Sequence, residues 1–529
     1  MTPLRDQDGP ALRQWSVLAC GAVALSWFVI DGLLLPPAFG GTDFYYFKDP
    51  SLNLATGLGF VTRFTFGSPG LADQVYAMYP PIYPLLFGLF VKLFGISAQT
   101  NQAFNAALGV ALGAAGFLAG QHLLKRGPSR RTQALIGAFL VLAIVTRFYA
   151  PDPERPDGLG VLLGLAGLLA LRRHADVRGE IGAGVLCGVA LLVSPFAGMF
   201  GLIAVGGVIY DYSFFERGLL PTCRSLLRVA AGAFVVLALG AGLMSLFYPD
   251  WLSAFLGVLL GKTTNNETGG GYLLALLHGD VRTWASAFPL RDPSFLTGLS
   301  KLLLVQLVLV VAVGVAWIRF GVKACRSSIV LLICASPLCI LTSPYQGNYP
   351  PITAALLLGA ASCIALRVTG NEQRVYRTAV LMGFVTLCLV SAPQRAHDIV
   401  VQVSAGPSLP RAFAEIDEVR KDLRADEFLG VSPADYVLWR QQGLRPLITT
   451  YSGLSDPAKR KQLAYVAVTY GGTGNPREAH IPPWLTDAEY RLVHQPSLPQ
   501  YATLFGWIVS RSSQTWESSI YVRRDRAQR

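Results

Sequence analysis

From residue 14 onward the chain alternates long apolar runs with short charged or Pro- and Gly-rich connections, and the alternation stops near residue 393. The runs lie at 14–35, 101–124, 132–149, 157–171, 179–194, 196–212, 229–247, 301–319, 328–342, 351–367 and 376–393. Apolar runs of about 15 to 23 residues cross a bilayer as helices, with some tilt or local thinning. The pattern therefore predicts a mainly α membrane protein, a polytopic bundle of about eleven transmembrane helices. One further run, Ile82 to Gly95, is short and contains Pro84 and Lys92, which suits a re-entrant or interfacial helix. After residue 393 the composition becomes that of a soluble chain. A helical pattern covers Pro410–Leu423 and another Ala434–Gln442, with β-like runs at Phe428–Val431, Leu447–Thr450, Ala464–Thr469, Gly506–Ser510 and Ser519–Val522. These predict two domains, a membrane domain over 1–393 and a soluble α/β domain over 394–529.

Composition strengthens this picture. The 529 residues are 52 % hydrophobic and 14 % charged, with a mean hydropathy of +0.44, so most of the chain belongs in lipid. A net charge of +12 would suit a nucleic-acid partner only on a folded face or a basic arm. Here the cations sit in short clusters between apolar runs, the positive-inside pattern, and no nucleic acid is expected. If Ile82–Gly95 does not span, the clusters Lys125/Arg126/Arg130/Arg131, Arg172/Arg173/Arg178, Arg217/Arg224/Arg228, Arg319/Lys323/Arg326 and Arg367/Arg374/Arg377 share a side with Arg5 and Arg13. That places the N-terminus in the cytoplasm of a multi-pass inner-membrane protein. The opposite face then receives the loops 36–100, 150–156, 248–300 and 343–350 and the C-terminal domain. The eight cysteines lie in or beside apolar runs without metal-ligand spacing, and the run from Trp15 to Leu35 is too long for a cleavable signal.

Candidate chemistry gathers in the outer loops. The first opens Gly40-Gly41-Thr42-Asp43-Phe44-Tyr45-Tyr46-Phe47-Lys48-Asp49, continues Leu54-Ala55-Thr56-Gly57-Leu58-Gly59-Phe60, and later reads Tyr79-Pro80-Pro81-Ile82-Tyr83-Pro84. A carboxylate just past a span, among aromatic residues, meets the conditions for a desolvated general base. Asp43 equally fits as the cap of a following interfacial helix, with Tyr45, Tyr46 and Tyr79 as belt residues. The second loop packs Arg147, Asp152, Glu154, Arg155 and Asp157 into a turn before a span. Asp157 suits the first turn of that helix on dipole grounds alone, while a functional reading sets Asp157 or Glu154 across a pocket from Asp43 and Arg147 or Arg155 on a phosphate.

The acid after the first span, the Leu-Ala-Thr-Gly-Leu-Gly-Phe stretch, the Tyr-Pro-Pro-Ile-Tyr-Pro-Leu-Leu run and the Arg-Pro-Asp start of a later span resemble the GT-C class of glycosyltransferases. The similarity runs to the protein O-mannosyltransferases and the lipid A aminoarabinose and galacturonic acid transferases. It covers about the first 170 residues by motif and the rest by architecture. The resemblance implies inverting transfer of a hexose or pentose from a polyprenyl-phosphate donor to a glycan, lipid or protein acceptor. It makes Asp43 the catalytic acid, Asp157 the second-loop acid and Ile82–Gly95 an interfacial helix. The sequence lacks a nucleotide-binding GxGxxG, a Walker motif or a paired-carboxylate motif beside the site, so neither a cofactor nor an essential metal is expected.

The chain also departs from that pattern. Some relatives carry a Lys-Pro in a middle loop where this chain has Ser194-Pro195, and a His or Arg in a late loop that here reads Ser343-Pro344-Tyr345-Gln346-Gly347-Asn348-Tyr349. The phosphate-binding cation is thus open among Lys48, Arg63, Arg147, Arg155, Lys262 and Arg291. Lys262 lies in a Gly-rich segment that reads as a lid or as a plain solvated loop. Tyr345, Asn348 and Tyr349 suit sugar hydroxyls or the ends of two spans. His122, His174 and His278 are isolated, and the segment Gly471–Arg477 reads as a loop. Two other functions remain open: a transporter or flippase, and a non-catalytic envelope assembly protein.

Overall fold

A computed structural model of the chain describes residues 21–37 (save 23), 43–63, 73–123 (save 78), 155–173, 176–210, 213, 217–259, 399–432, 435–449, 457–469, 488–496, 502–504, 507–510 and 515–527, with isolated positions 310, 314, 317, 318, 321, 396, 482, 484 and 485. It divides into two compact units, one of residues 1–28, 107–246 and 275–392, the other of 29–106, 247–274 and 393–529. Residues Ala24–Leu34 are helical, the last seven as a π-helix. Then follow α1 (Asp43–Ala55), the two-stranded hairpin β1 (Val61–Thr62) and β2 (Gln74–Val75), α2 (Ile82–Phe94) and α3 (Ala98–Leu123).

The first unit is helical, with α4 (Asp157–Arg173), α5 (Val177–Leu191), α6 (Pro195–Ile209) and α7 (Leu219–Phe247). Asp176 caps α5 by accepting from Gly179 N at 3.0 Å, and Ser194 followed by Pro195 starts α6, a Pro at the first position costing no hydrogen bond. Small residues let the helices touch. A Cβ at Gly184 would collide with the Val229 carbonyl oxygen, so α5 and α7 pack backbone to backbone, as do α4 and α6 at Gly164 and Gly201. Leu171, Ala183, Cys187, Val205, Ile209 and Val229 form a buried cluster between them.

The runs expected to span at 101–124, 157–171, 179–194, 196–212 and 229–247 are all helical, as α3 to α7. Among the described residues α7, 29 residues long with an 18-residue stretch of mean hydropathy 2.2, is the one helix long and apolar enough to cross a membrane by itself. Its Leu239, Leu243 and Leu246 are exposed along one side, an apolar face that suits lipid. It starts ten residues before the expected run, because Gly218 at φ +89° breaks the chain and Leu219-Leu220-Pro221 then leads into the helix. The expected spans at 132–149, 301–319, 328–342, 351–367 and 376–393 lie outside the described residues, isolated positions apart.

In the second unit α1 packs on α2, where Gly88 lets the helix approach the Ser51 carbonyl to 3.2 Å from its would-be Cβ. The face of α2 bearing Tyr83, Phe87 and Val91 is buried, while Leu89, Leu93 and Phe94 are exposed. At about 1.5 Å per residue its 13 residues fall well short of a bilayer's hydrocarbon thickness. A short helix α8 (Trp251–Leu259) follows α7. The C-terminal residues form α9 (Leu409–Asp422), β3 (Phe428–Val431), α10 (Tyr436–Gln441), β4 (Leu447–Ile448), β5 (Leu463–Thr469), β6 (Tyr490–His494), the hairpin β7 (Ala502–Leu504) and β8 (Trp507–Ser510), and β9 (Ser518–Arg523). Five of these strands make one mixed sheet in the order β4-β3-β5-β9-β6. β3 pairs in parallel with both β4 and β5, and β9 runs antiparallel between β5 and β6. The central β5, Leu-Ala-Tyr-Val-Ala-Val-Thr, is buried along its whole length, as a near-continuous apolar strand should be.

Candidate functional site

The helix α1 carries the first-loop acid, and its packing sets the candidate site. Asp43 is its first residue, so the structure describes Asp43, Tyr45 and Tyr46 as the opening turns of a helix. The next turn is anchored on two sides. Lys48 is fully buried, donating to Asn101 Oδ1 at 2.5 Å and Asn105 Oδ1 at 2.7 Å, both on α3. Its ammonium lies 4.7 Å from the centre of the Phe87 ring and 5.5 Å from that of Phe104, where the electron-rich faces favour a cation. Lys48, a candidate for the donor phosphate, is thus occupied by two amide oxygens. Tyr79 is half-buried and meets Phe47 edge-on at 4.6 Å.

Asp49 carries the other anchor. Its Oδ1 accepts from the Tyr436 hydroxyl at 2.5 Å, and its Oδ2 from Thr62 Oγ1 at 3.0 Å and Asn53 Nδ2 at 3.1 Å. Asn53 Oδ1 in turn accepts from Arg440 Nη2 at 2.8 Å. Burial and the neighbouring Asp49 charge push the Tyr436 phenol well above its usual range, so it remains a donor. Beside this network Arg445 forks onto Asp73 at 2.6 and 3.0 Å, and Arg63 reaches the Arg445 carbonyl at 3.2 Å while lying over the Phe428 ring at 5.3 Å. The Arg445 hydrogen bonds hold the Asp73 carboxyl below its usual range. Burial, and then the Arg445 charge, pull Arg63 below its own. The phosphate candidate Arg63 is therefore engaged with a ring, a carbonyl and Asp73.

In the other unit, Asp157 opens α4 and is buried. It accepts from Arg155 Nε at 2.8 Å and from Ser194 Oγ at 2.5 Å. Ser194 thus serves to hold Asp157 at the start of α4. In the first turn of α5 Glu180 accepts from Ser225 Oγ at 2.6 Å and Arg228 Nη1 at 2.8 Å, fixing α5 to α7. Arg147, Glu154, Lys262, Arg291, Tyr345, Asn348 and Tyr349 lie outside the described residues.

Among the described residues, one group has donors close enough for a metal ion. Glu415, His494 and Glu517 bring one ligand atom each within 4.8 Å. All three side chains are already engaged within the protein. His494 Nε2 sits 2.7 Å from Glu415, Arg411 donates to Glu517 at 2.6 Å, and Ser518 N donates to Glu415 at 3.2 Å. Sequence reasoning missed Asp49, Asn53, Tyr436 and Arg440. The available signal was the polar pair Asp49 and Asn53, four residues apart and so on one face of a helix.

No protein-family model and no curated protein matches the chain. Solved structures do. The oligosaccharyltransferase AglB of Archaeoglobus fulgidus, in complex with an inhibitory peptide and a dolichol-phosphate, aligns at a TM-score of 0.50 with 11 % identity, over 87 % of this chain and 70 % of that one. The ArnT of Cupriavidus metallidurans bound to undecaprenyl phosphate aligns at 0.42 with 14 % identity, over 96 % and 98 % of the two chains. The arabinofuranosyltransferase AftD from Mycobacteria aligns at 0.48 with 16 % identity, over 96 % of this chain and 40 % of that one. Identities this low speak to fold and not to substrate. At a TM-score of 0.50 the chain shares the fold of AglB.

Proposed function

We propose that the protein transfers a sugar from a polyprenyl-phosphate donor to an envelope acceptor, a glycolipid, polysaccharide or protein, on the extracytoplasmic face of the membrane. The observation that carries this reading is the fold shared with AglB, a transferase whose structure holds a dolichol-phosphate. The first-loop motif around Asp43 supports it. In the proposed reaction the Asp43 carboxylate takes the acceptor's proton as the acceptor oxygen attacks the anomeric carbon. The bond from that carbon to the phosphate oxygen breaks, and the lipid phosphate leaves with the electron pair. A phosphate is already a stable anion, so the enzyme needs chiefly to supply a base and to hold the phosphate with positive groups. Asp157 enters as the second-loop acid, acting through the Arg155 that it holds. No metal is included, since the first loop has no paired-carboxylate motif that would demand one.

The test uses purified protein, a radiolabelled polyprenyl-phosphate sugar and a membrane extract as acceptor, comparing wild type with Asp43→Asn. The proposal expects transfer by wild type and a loss of about 100-fold or more in the variant, the usual worth of a positioned base. Equal transfer by both removes Asp43 from its role. Absence of transfer from every polyprenyl donor leaves the transporter and assembly-protein readings standing.

A further inference from the structure

The Asp49 network joins residues 387 positions apart in sequence, and every member is buried. On one side stand Asp49 and Asn53 of α1, on the other Tyr436 and Arg440 of α10, one turn apart and facing the same way. Gln441 of α10 also accepts from Ala98 N at the start of α3, at 3.3 Å. A single short helix of the C-terminal residues thus grips the element that begins at Asp43. Satisfying the Asp49 carboxylate takes donors from three elements, and the Tyr436 hydroxyl is its closest. A buried carboxylate that loses a donor is costly, which makes α1 sensitive to one phenol from the other end of the chain.

We infer that Tyr436, with Arg440, is a positioning residue for the first-loop helix: the C-terminal domain sets the place of Asp43 through Asp49, rather than serving only as a separate acceptor-binding module. This rests on the proposed function for its kinetic consequence and on geometry alone for its structural one. Asp49 and Tyr436 form a pair, so their perturbations are coupled. Tyr436→Phe orphans a carboxylate, whereas Asp49→Asn in the same background removes the charge that needed the phenol.

The experiment uses the full-length protein in detergent with three variants, Tyr436→Phe, Asp49→Asn and the double variant. Hydrogen exchange is read at the amides of residues 43–55, with β5 amides as reference, alongside donor KM and kcat. Tyr436→Phe is expected to speed exchange in α1 by about tenfold with β5 unchanged, a single lost charge-assisted hydrogen bond. The double variant is expected to recover part of that protection, a result that simple destabilisation does not give. Transfer should show kcat lowered with donor KM within about twofold. Unchanged exchange in α1, equal acceleration in α1 and β5, or strict additivity of the two changes overturns the inference. If wild type transfers no sugar, the proposed function fails while the exchange result still decides whether Tyr436 holds α1.

Discussion

Asp435 offers the sharpest energetic prediction. It is fully buried just before α10, where one oxygen accepts from Trp439 Nε1 at 2.7 Å and Ser518 Oγ at 3.0 Å, and burial raises its pKa from 3.8 to about 6. The folded state therefore holds a proton that the unfolded chain has released. The stability this proton contributes is present in full below pH 3.8 and is lost as pH rises through about 6. A shift of about 2 units corresponds to about 3 kcal/mol between the extremes, and about 1.4 kcal/mol of it returns on going from pH 7.5 to pH 5. Asp435→Asn keeps the acceptor for Trp439 and Ser518 and removes the charge. Its amide nitrogen takes the place of Oδ1, which has no hydrogen-bond partner among the described residues, and that offsets about 1 kcal/mol. At pH 7.5 the variant should be more stable by about 2 kcal/mol, several degrees in unfolding temperature for a domain of this size. By pH 5 most of that advantage should have gone. The assay is thermal unfolding of the full-length protein followed by tryptophan emission across this range. A gap between the two proteins that stays constant, or that widens toward acid, refutes the assignment of a buried, protonation-dependent Asp435.

Other outcomes follow from the packing. Gly184→Ala places a methyl group against the Val229 carbonyl and should cost about 2 kcal/mol or more by separating α5 from α7; Gly182→Ala, with nothing within 4 Å, is the matched control that thermal unfolding should show as neutral or stabilising. Lys48→Met removes two charge-assisted hydrogen bonds and leaves the Asn101 and Asn105 oxygens buried, so its unfolding temperature should fall below that of wild type; an equal or higher value would show that the ammonium does not hold α1 to α3. Asp157→Asn leaves the buried Arg155 charge uncompensated and should lower both transfer and the unfolding temperature, the latter by an amount that a loss of about 3 kcal/mol or more gives; unchanged melting would show that the pair does not hold the start of α4.

Much of the architecture could be read from the amino-acid pattern, and the reasons differ by element. β3 falls on the expected Phe428–Val431, and α9 within a residue of Pro410–Leu423, because each has a clear apolar period and lies between turn residues. β6, Tyr-Arg-Leu-Val-His, escaped notice: its three middle residues are all exposed, so no alternation marks it. β7 has only three residues, too few for any period. Asp43 was expected as a site residue from its motif and its place after an apolar run, and it is the first residue of α1. Asp49, six residues on in the same helix, carried only the weak signal of its i,i+4 pair with Asn53, since its meaning depends on Tyr436, 387 residues away. Lys48 shows the reverse case, a candidate whose partners only the fold reveals. A cation in an outer loop reads as a ligand for phosphate until tertiary structure supplies Asn101 and Asn105. The same applies to Arg63: Asp73 lies ten residues on, but Phe428 and Arg445 come from the far end of the chain.

The proposed function requires Asp43 to meet a lipid-phosphate sugar. The most direct measurement is an experimental structure of the protein with a polyprenyl-phosphate sugar and its acceptor bound. The account predicts the sugar beside the N-terminal turn of α1, with the Asp43 carboxylate within about 3 Å of the acceptor hydroxyl or joined to it by one water. A donor bound elsewhere, or an Asp43 carboxylate out of reach of the acceptor even through a water, would contradict it.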